Sequence, residues 1–299
     1  MTYQEFKDTI LMKVTTALPS NTQIQLRKLL KNNNLQLDGL VISEDECNIA
    51  PTIYLNYYYE KYLEGTSIED VTAEIMQCYL QHRVENDIDT SFFTDYECAK
   101  HNIIYKLINY EKNKELLSTI PYIPYLDLAI VFCCIVDITD EGNSSILIHN
   151  DHLIYWNVSP DELLALATIN TPRLLHYELK DMRDIIEELL PLEADELLDD
   201  TGLESSSGMF VLTNHQRLNG ACCILYQNLL QEFSHKINSD LFILPSSVHE
   251  VLLIPATLAS SRQELSDMVH DVNTTKVAEE EILSDHVYYY SQALNAVSM

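Results

Sequence analysis

The chain has 299 residues, 46% of them hydrophobic, and a formal net charge of −28 from 46 acidic and 18 basic side chains. That apolar share can build a core and excludes wholesale disorder. No apolar run reaches the roughly 18–20 residues that cross a bilayer, and an acidic chain lacks the clustered Lys and Arg that track a phosphate backbone. The acidity is not a tail: residues 191–299 carry 16 acidic against 4 basic residues, and residues 1–190 carry 30 against 14. Such a surface keeps a protein soluble and offers complementary charge to a basic partner.

Thr2-Tyr3-Gln4-Glu5 fits a capping box, and Phe6, Ile10, Leu11 and Val14 then form one apolar helical face. This start has no basic segment followed by an apolar one, so no secretory signal is expected. Ile24–Leu30 and Leu35–Ile42 flank Asn32-Asn33-Asn34 and read as two strands joined by a tight turn. A short strand around Thr52–Leu55 precedes a helix carrying Tyr57, Tyr58, Tyr59 and Tyr62, and Ser67 opens another helix reaching about Val84. Within Ser91–Leu117 the spacing of Ile104, Leu107 and Ile108 predicts a further helix.

Leu126–Ile138 and Ser145–Trp156 are β-rich runs around Asp140-Glu141-Gly142-Asn143 and predict a hairpin. Ser159-Pro160-Asp161-Glu162 is a helix start with serine as N-cap and proline at the first helical position. That helix should end near Ile169, before Thr171-Pro172, with another helix near Met182–Leu190. Pro191–Gly208 is acidic, then serine-rich, and has little apolar period, so it reads as a linker. A strand at Met209–Thr213, a helix at Ala221–Ile237, two strands at Leu241–Leu244 and Val251–Ile254, a helix near Ser261–Val269 and a strand near Val287–Ser291 complete the chain. The expected fold is α+β: two lobes of mixed or antiparallel sheets flanked by helices, at 1–190 and 209–299, joined by the linker 191–208.

Cys47, Cys78, Cys98, Cys133, Cys134, Cys222 and Cys223 are odd in number and contain no C-x-x-C spacing. They read as reduced core or half-buried thiols of a cytoplasmic protein rather than as a disulfide framework or zinc site. Six glycines in the whole chain leave no Walker or dinucleotide-binding loop, and no cofactor is expected.

Several longer segments carry a resemblance. They are Asn48–Leu55, Tyr105–Glu111, Leu126–Phe132, Asn170–Leu175 and Ile243–Val251. Together they resemble an uncharacterised Firmicutes family, the domain of unknown function 5688, over nearly the whole chain. The resemblance implies a cytoplasmic bacterial protein often carried with mobile or accessory genes. It implies no catalytic residue.

The densest chemistry lies in Asp240–Pro255, where Ser246, Ser247, His249 and Glu250 sit between two apolar runs. A serine hydrolase needs a nucleophile, a base and an orienting acid within hydrogen-bond reach. In an extended segment Ser247 and His249 share a face while Glu250 points the other way, so an acid would have to come from elsewhere. No G-x-S-x-G elbow is present, and Leu253 stands where the second histidine of H-E-x-x-H would be. A polar turn whose side chains satisfy the backbone is the plainer reading. His149 and His152, three apart beside Asp151, are weak metal-ligand candidates set against an ordinary polar turn. Arg173 is expected to pair with a carboxylate rather than bind an anion. The leading functional expectation is an acidic, cytoplasmic interaction or regulatory protein with a basic protein partner, no nucleic acid and no membrane. The alternative is a small hydrolase using Ser247 and His249.

Overall fold

A computed structural model describes residues 1–44, 50–83, 91–139, 142–189, 208–245, 247–259 and 261–299. The chain forms two compact units, Met1–Thr90 and Ser91–Met299. The division therefore falls 100 residues before the linker expected at 191–208, of which 191–207 lie outside the described residues. Strands on both sides of that segment pair with each other, so 1–190 and 209–299 are not separate lobes. The α+β class stands, with antiparallel sheets throughout the described residues.

The first unit begins with α1 (Tyr3–Ala17), whose Thr2–Glu5 capping box is formed. A three-stranded meander follows: β1 (Thr22–Leu30), β2 (Gln36–Glu44) and β3 (Thr52–Tyr54). Asn33 and Asn34 take positive φ at the β1–β2 turn, which asparagine tolerates better than most residues. Helices α2 (Leu55–Leu63) and α3 (Ile68–His82) complete the unit. Phe6, Ile10 and Val14 of α1 pack with Leu40, Ile42, Val71 and Ile75 in its core.

The second unit starts with two short helices, α4 (Ser91–Thr94) and α5 (Tyr96–Ala99). Ile103–Asn109 is then strand β4, not the helix that the spacing of Ile104, Leu107 and Ile108 suggests. Six of its seven residues are buried, because both faces of the strand are covered. A strand buried on both sides loses the alternation that would distinguish it from a helix. After α6 (Lys114–Leu117), β4 joins β5 (Tyr122–Tyr125), β6 (Leu128–Thr139) and β7 (Gly142–Leu147) in one sheet. The expected hairpin is β6–β7, but Asn150–Trp156 is helix α7 instead of continuing strand.

Helix α8 (Pro160–Leu174) has the expected Ser159 cap and runs one turn further, with Pro172 inside it. The extension places Asn170 and Thr171 against the free edge of β4. Asn170 Nδ2 donates to the carbonyls of Lys100 and Ile103, and Thr171 Oγ1 accepts the Tyr105 N–H at 3.1 Å. These side chains take the place of a neighbouring strand.

Strand β8 (Tyr177–Asp181), not foreseen in the sequence, leads into α9 (Met182–Leu189). The rest of the unit contains β9 (Phe210–Asn214), a 3₁₀ segment Gly220–Leu225, α10 (Leu229–Ile237), β10 (Leu241–Leu244), β11 (Val251–Pro255), α11 (Arg262–Thr275), β12 (Tyr288–Ser291) and β13 (Ala296–Ser298). The single helix expected over Ala221–Ile237 is thus split in two. Six strands form a sheet in the order β13-β12-β10-β11-β9-β8.

One face of this sheet, through Leu212, Ile243, Leu253 and Tyr288, shares the main core with Tyr105 and Leu107 of β4 and Phe132 of β6. Its outer face carries a smaller core where Leu265 and Val269 of α11 meet Leu244 and Ile254. Cys133, Cys134, Cys222 and Cys223 are buried free thiols, Cys78 is half-buried and Cys98 is exposed. Its side-chain hydrogen bond with Cys223 first, and burial second, hold the Cys222 thiol well above its ordinary pKa. No helix among the described residues is long and apolar enough to cross a membrane.

Candidate functional site

β10 and β11 pair antiparallel, with Leu241 opposite Pro255 and Leu244 opposite Leu252. The chain between them does not turn tightly. It passes along a segment at 281–284: Val248 N–H donates to Glu281 O, Ser284 N–H to Pro245 O, and Ser247 bridges Ile282. On its other side Thr213 Oγ1 donates to His249 O at 2.7 Å and Ala221 N–H to Val248 O at 3.2 Å. Gly220 makes this approach possible, since a Cβ there would lie 2.5 Å from His249 O and 2.7 Å from Asn214 N.

Within this frame Ser247 is buried and its hydroxyl accepts the His249 backbone N–H at 3.0 Å. The His249 ring is fixed separately. Its Nδ1 accepts the Asn219 backbone N–H at 3.2 Å, so the ring proton sits on Nε2. Nε2 in turn lies 3.4 Å from Glu281 Oε1. An acid does reach the imidazole, from 32 residues further along the chain. But the nitrogen left to act as base already holds a main-chain proton donor, and the serine oxygen accepts the His249 backbone N–H. Ser246 lies outside the described residues.

His149 and His152 do not form a turn. His149 precedes α7 and its N–H donates to His152 Nδ1 at 2.9 Å, capping the helix start. The His152 ring packs edge-on against Phe93 with centroids 4.8 Å apart. Burial first, and His149 second, hold its imidazole below the usual pKa. No group of three or more metal-ligating side chains occurs among the described residues. Arg173 meets no carboxylate among the described residues: its guanidinium donates to the His101 carbonyl, just before β4, and to Asn170 Oδ1.

A second histidine–acid group was not visible in the sequence. Asp127 accepts hydrogen bonds from Ser284 Oγ at 2.6 Å, His286 Nδ1 at 3.0 Å and the Tyr288 hydroxyl. Asp127 leads into β6 and the other three lie at β12, so the carboxylate ties the two sheets of the unit together. His286 keeps Nε2 free, the orientation that an Asp–His dyad gives a base. Ser284, however, is fully buried and donates to the same carboxylate. Burial, then the Asp127 charge, push the Tyr288 phenol far above its ordinary pKa.

The outer face of the six-stranded sheet holds a cleft of about 300 Å³. Glu178 and Lys180 of β8, Thr213 and Val211 of β9, and Glu250 and Leu252 beside or within β11 line it, as their register requires. Met182, Ile185 and Arg217 complete the wall. Lys180 Nζ is held by Glu188 at 2.8 Å and Glu178 at 3.2 Å, and Arg217 Nε stands 3.9 Å from Glu178. Glu250 has no Lys or Arg partner among the described residues. Burial raises its pKa above the ordinary carboxylate value, Glu281 adds to the rise, and His249 and Ser247 oppose it.

The family model described as a family of unknown function, DUF5688, matches residues 3–292. The chain belongs to that family. No curated protein and no solved structure matches it. The DUF5688 match spans both compact units, and the residues that line the cleft lie within it.

Proposed function

We propose that this DUF5688 protein is a cytoplasmic, non-enzymatic interaction protein whose acidic surface receives a basic protein partner. The observation that carries the reading is Glu250: a half-buried carboxyl on the wall of a preformed cleft, with no Lys or Arg ion-paired to it among the described residues. A partner's ammonium or guanidinium group would meet that carboxyl and stabilise its ionised form. The second unit, which holds the cleft, contains 32 acidic and 11 basic residues, so approach of a cation is favoured at long range as well. The reduced cysteines and the absence of a membrane-crossing helix among the described residues accord with a cytoplasmic protein.

The hydrolase reading of Ser247 and His249 is supported by one contact, Glu281 at the imidazole. It is opposed by the Asn219 N–H on Nδ1 and the direction of the Ser247 hydroxyl. The experiment that separates the readings is crosslinking of the full chain in its native host, followed by purified reconstitution. A basic partner whose affinity falls steeply with added salt is expected. Salt-insensitive association with the partner found, or turnover of acyl substrates abolished by Ser247→Ala, would contradict the proposal.

A further inference from the structure

Strand β8 ends the six-stranded sheet. Its ladder phase is fixed by two flanking bonds, His215 N–H to His176 O and Met182 N–H to Met209 O. Residues 176, 178, 180 and 182 are therefore the hydrogen-bonded partners of β9. The backbone N–H and C=O of Tyr177 and Leu179 point the other way, to the free edge. No described residue bonds to those groups. The start of β4 is treated differently: Asn170 and Thr171 bond the outward groups of Ile103 and Tyr105.

Both faces of the β8 edge are shaped. Glu178 and Lys180 turn into the 300 Å³ cleft with Glu250. Tyr177 lines a second depression of about 520 Å³ with Ile169, Pro172, Tyr226 and Leu229. Ile169 and Tyr177 are exposed there at 70% and 52%. A strand laid beside β8 would present alternate side chains to these two faces.

We infer that the β8 edge is a docking site for an extended, basic segment of a partner protein, added as a seventh strand. Main-chain hydrogen bonds to Tyr177 and Leu179 supply register. A Lys or Arg side chain on the outer face enters the cleft beside Glu178, and an apolar or aromatic one on the other face covers Tyr177. Charge favours a basic occupant: the unit carries 32 acidic against 11 basic residues, and the two cations lining the cleft, Lys180 and Arg217, are engaged by Glu178 and, for Lys180, also by Glu188. This inference rests on the proposed binding of a basic protein and names where it occurs.

The test uses the full chain and a capped peptide of three Val-Lys repeats, with two N-methylated forms, each methylated on alternate residues. An added strand bonds β8 through one of its edges only. One N-methylated form should therefore lose affinity about tenfold or more, and the other should bind within about twofold of the parent. The Leu179 amide should gain hydrogen-exchange protection with the parent peptide. Glu178→Gln, checked for an unchanged circular dichroism spectrum, should weaken binding by about tenfold. Binding that is equal for all three peptides, without protection at Leu179, would overturn the docking site and leave the acidic-partner reading standing. No binding at millimolar peptide and low salt would overturn both.

Discussion

Two strand edges in the second unit meet opposite fates. At the start of β4, Asn170 donates to the carbonyls of Lys100 and Ile103 and Thr171 accepts the Tyr105 N–H, so that end of the edge is capped by the side chains of one helix. At β8, the outward groups of Tyr177 and Leu179 have no partner among the described residues, and the strand is flanked by a charged cleft and an aromatic depression. Exposed edges invite pairing with other chains, and proteins normally blunt them. The capped edge belongs to a strand buried on both faces, and the open one to the strand proposed to receive a partner.

Substitutions at the sealed edge should have the largest effect. Asn170→Ala removes the donor to two buried carbonyls and should destabilise the second unit by roughly 2–4 kcal/mol in urea denaturation. Thr171→Val keeps the shape but orphans the Tyr105 N–H, at about 1–3 kcal/mol. If both changes were nearly silent, the β4 edge would not depend on these side chains and the contrast would fail. Ser247→Ala should cost only about 1 kcal/mol, the worth of a hydrogen bond to the backbone.

Glu250→Gln sharpens the comparison from the open side. Its folded carboxyl holds its proton more tightly than the ordinary glutamate value of 4.5. The wild type is therefore stabilised by protonation below that value and loses this contribution as pH rises through the raised folded value. Paired urea titrations should show the glutamine variant gaining on the wild type over that rise, with the two converging below pH 4.5. A constant difference at every pH would mean the carboxyl is not desolvated. Tyr177→Thr, at the open edge, should change stability by no more than about 0.5 kcal/mol while reducing peptide affinity.

The parts of this arrangement written in local pattern were legible in the sequence. Asn32-Asn33-Asn34 marks the β1–β2 turn, Ser159-Pro160 marks the start of α8, and the paired runs 241–244 and 251–254 mark neighbouring strands. β4 was not legible, because a strand buried on both faces has no alternation to read. β8 was hidden for the opposite reason: Tyr-Glu-Leu-Lys-Asp alternates, but it is short and charged and lies between helices. The unit boundary at 90/91 depends on which elements pack together, and the composition of 191–208 carries no such information. The contacts that decide the chemistry, Asn219 and Glu281 on His249 and His286 on Asp127, join residues 30 to 159 positions apart. The family resemblance covered those residues without giving them roles.

Amide hydrogen exchange on the free, full-length protein tests the central contrast directly. Tyr105 N–H, bonded to the buried Thr171 hydroxyl, should exchange only through large-scale opening, whereas Leu179 N–H should exchange orders of magnitude faster under the same native conditions. Protection of Leu179 equal to that of Tyr105 in the free protein would show that the β8 edge is already covered and would contradict its role as a docking strand.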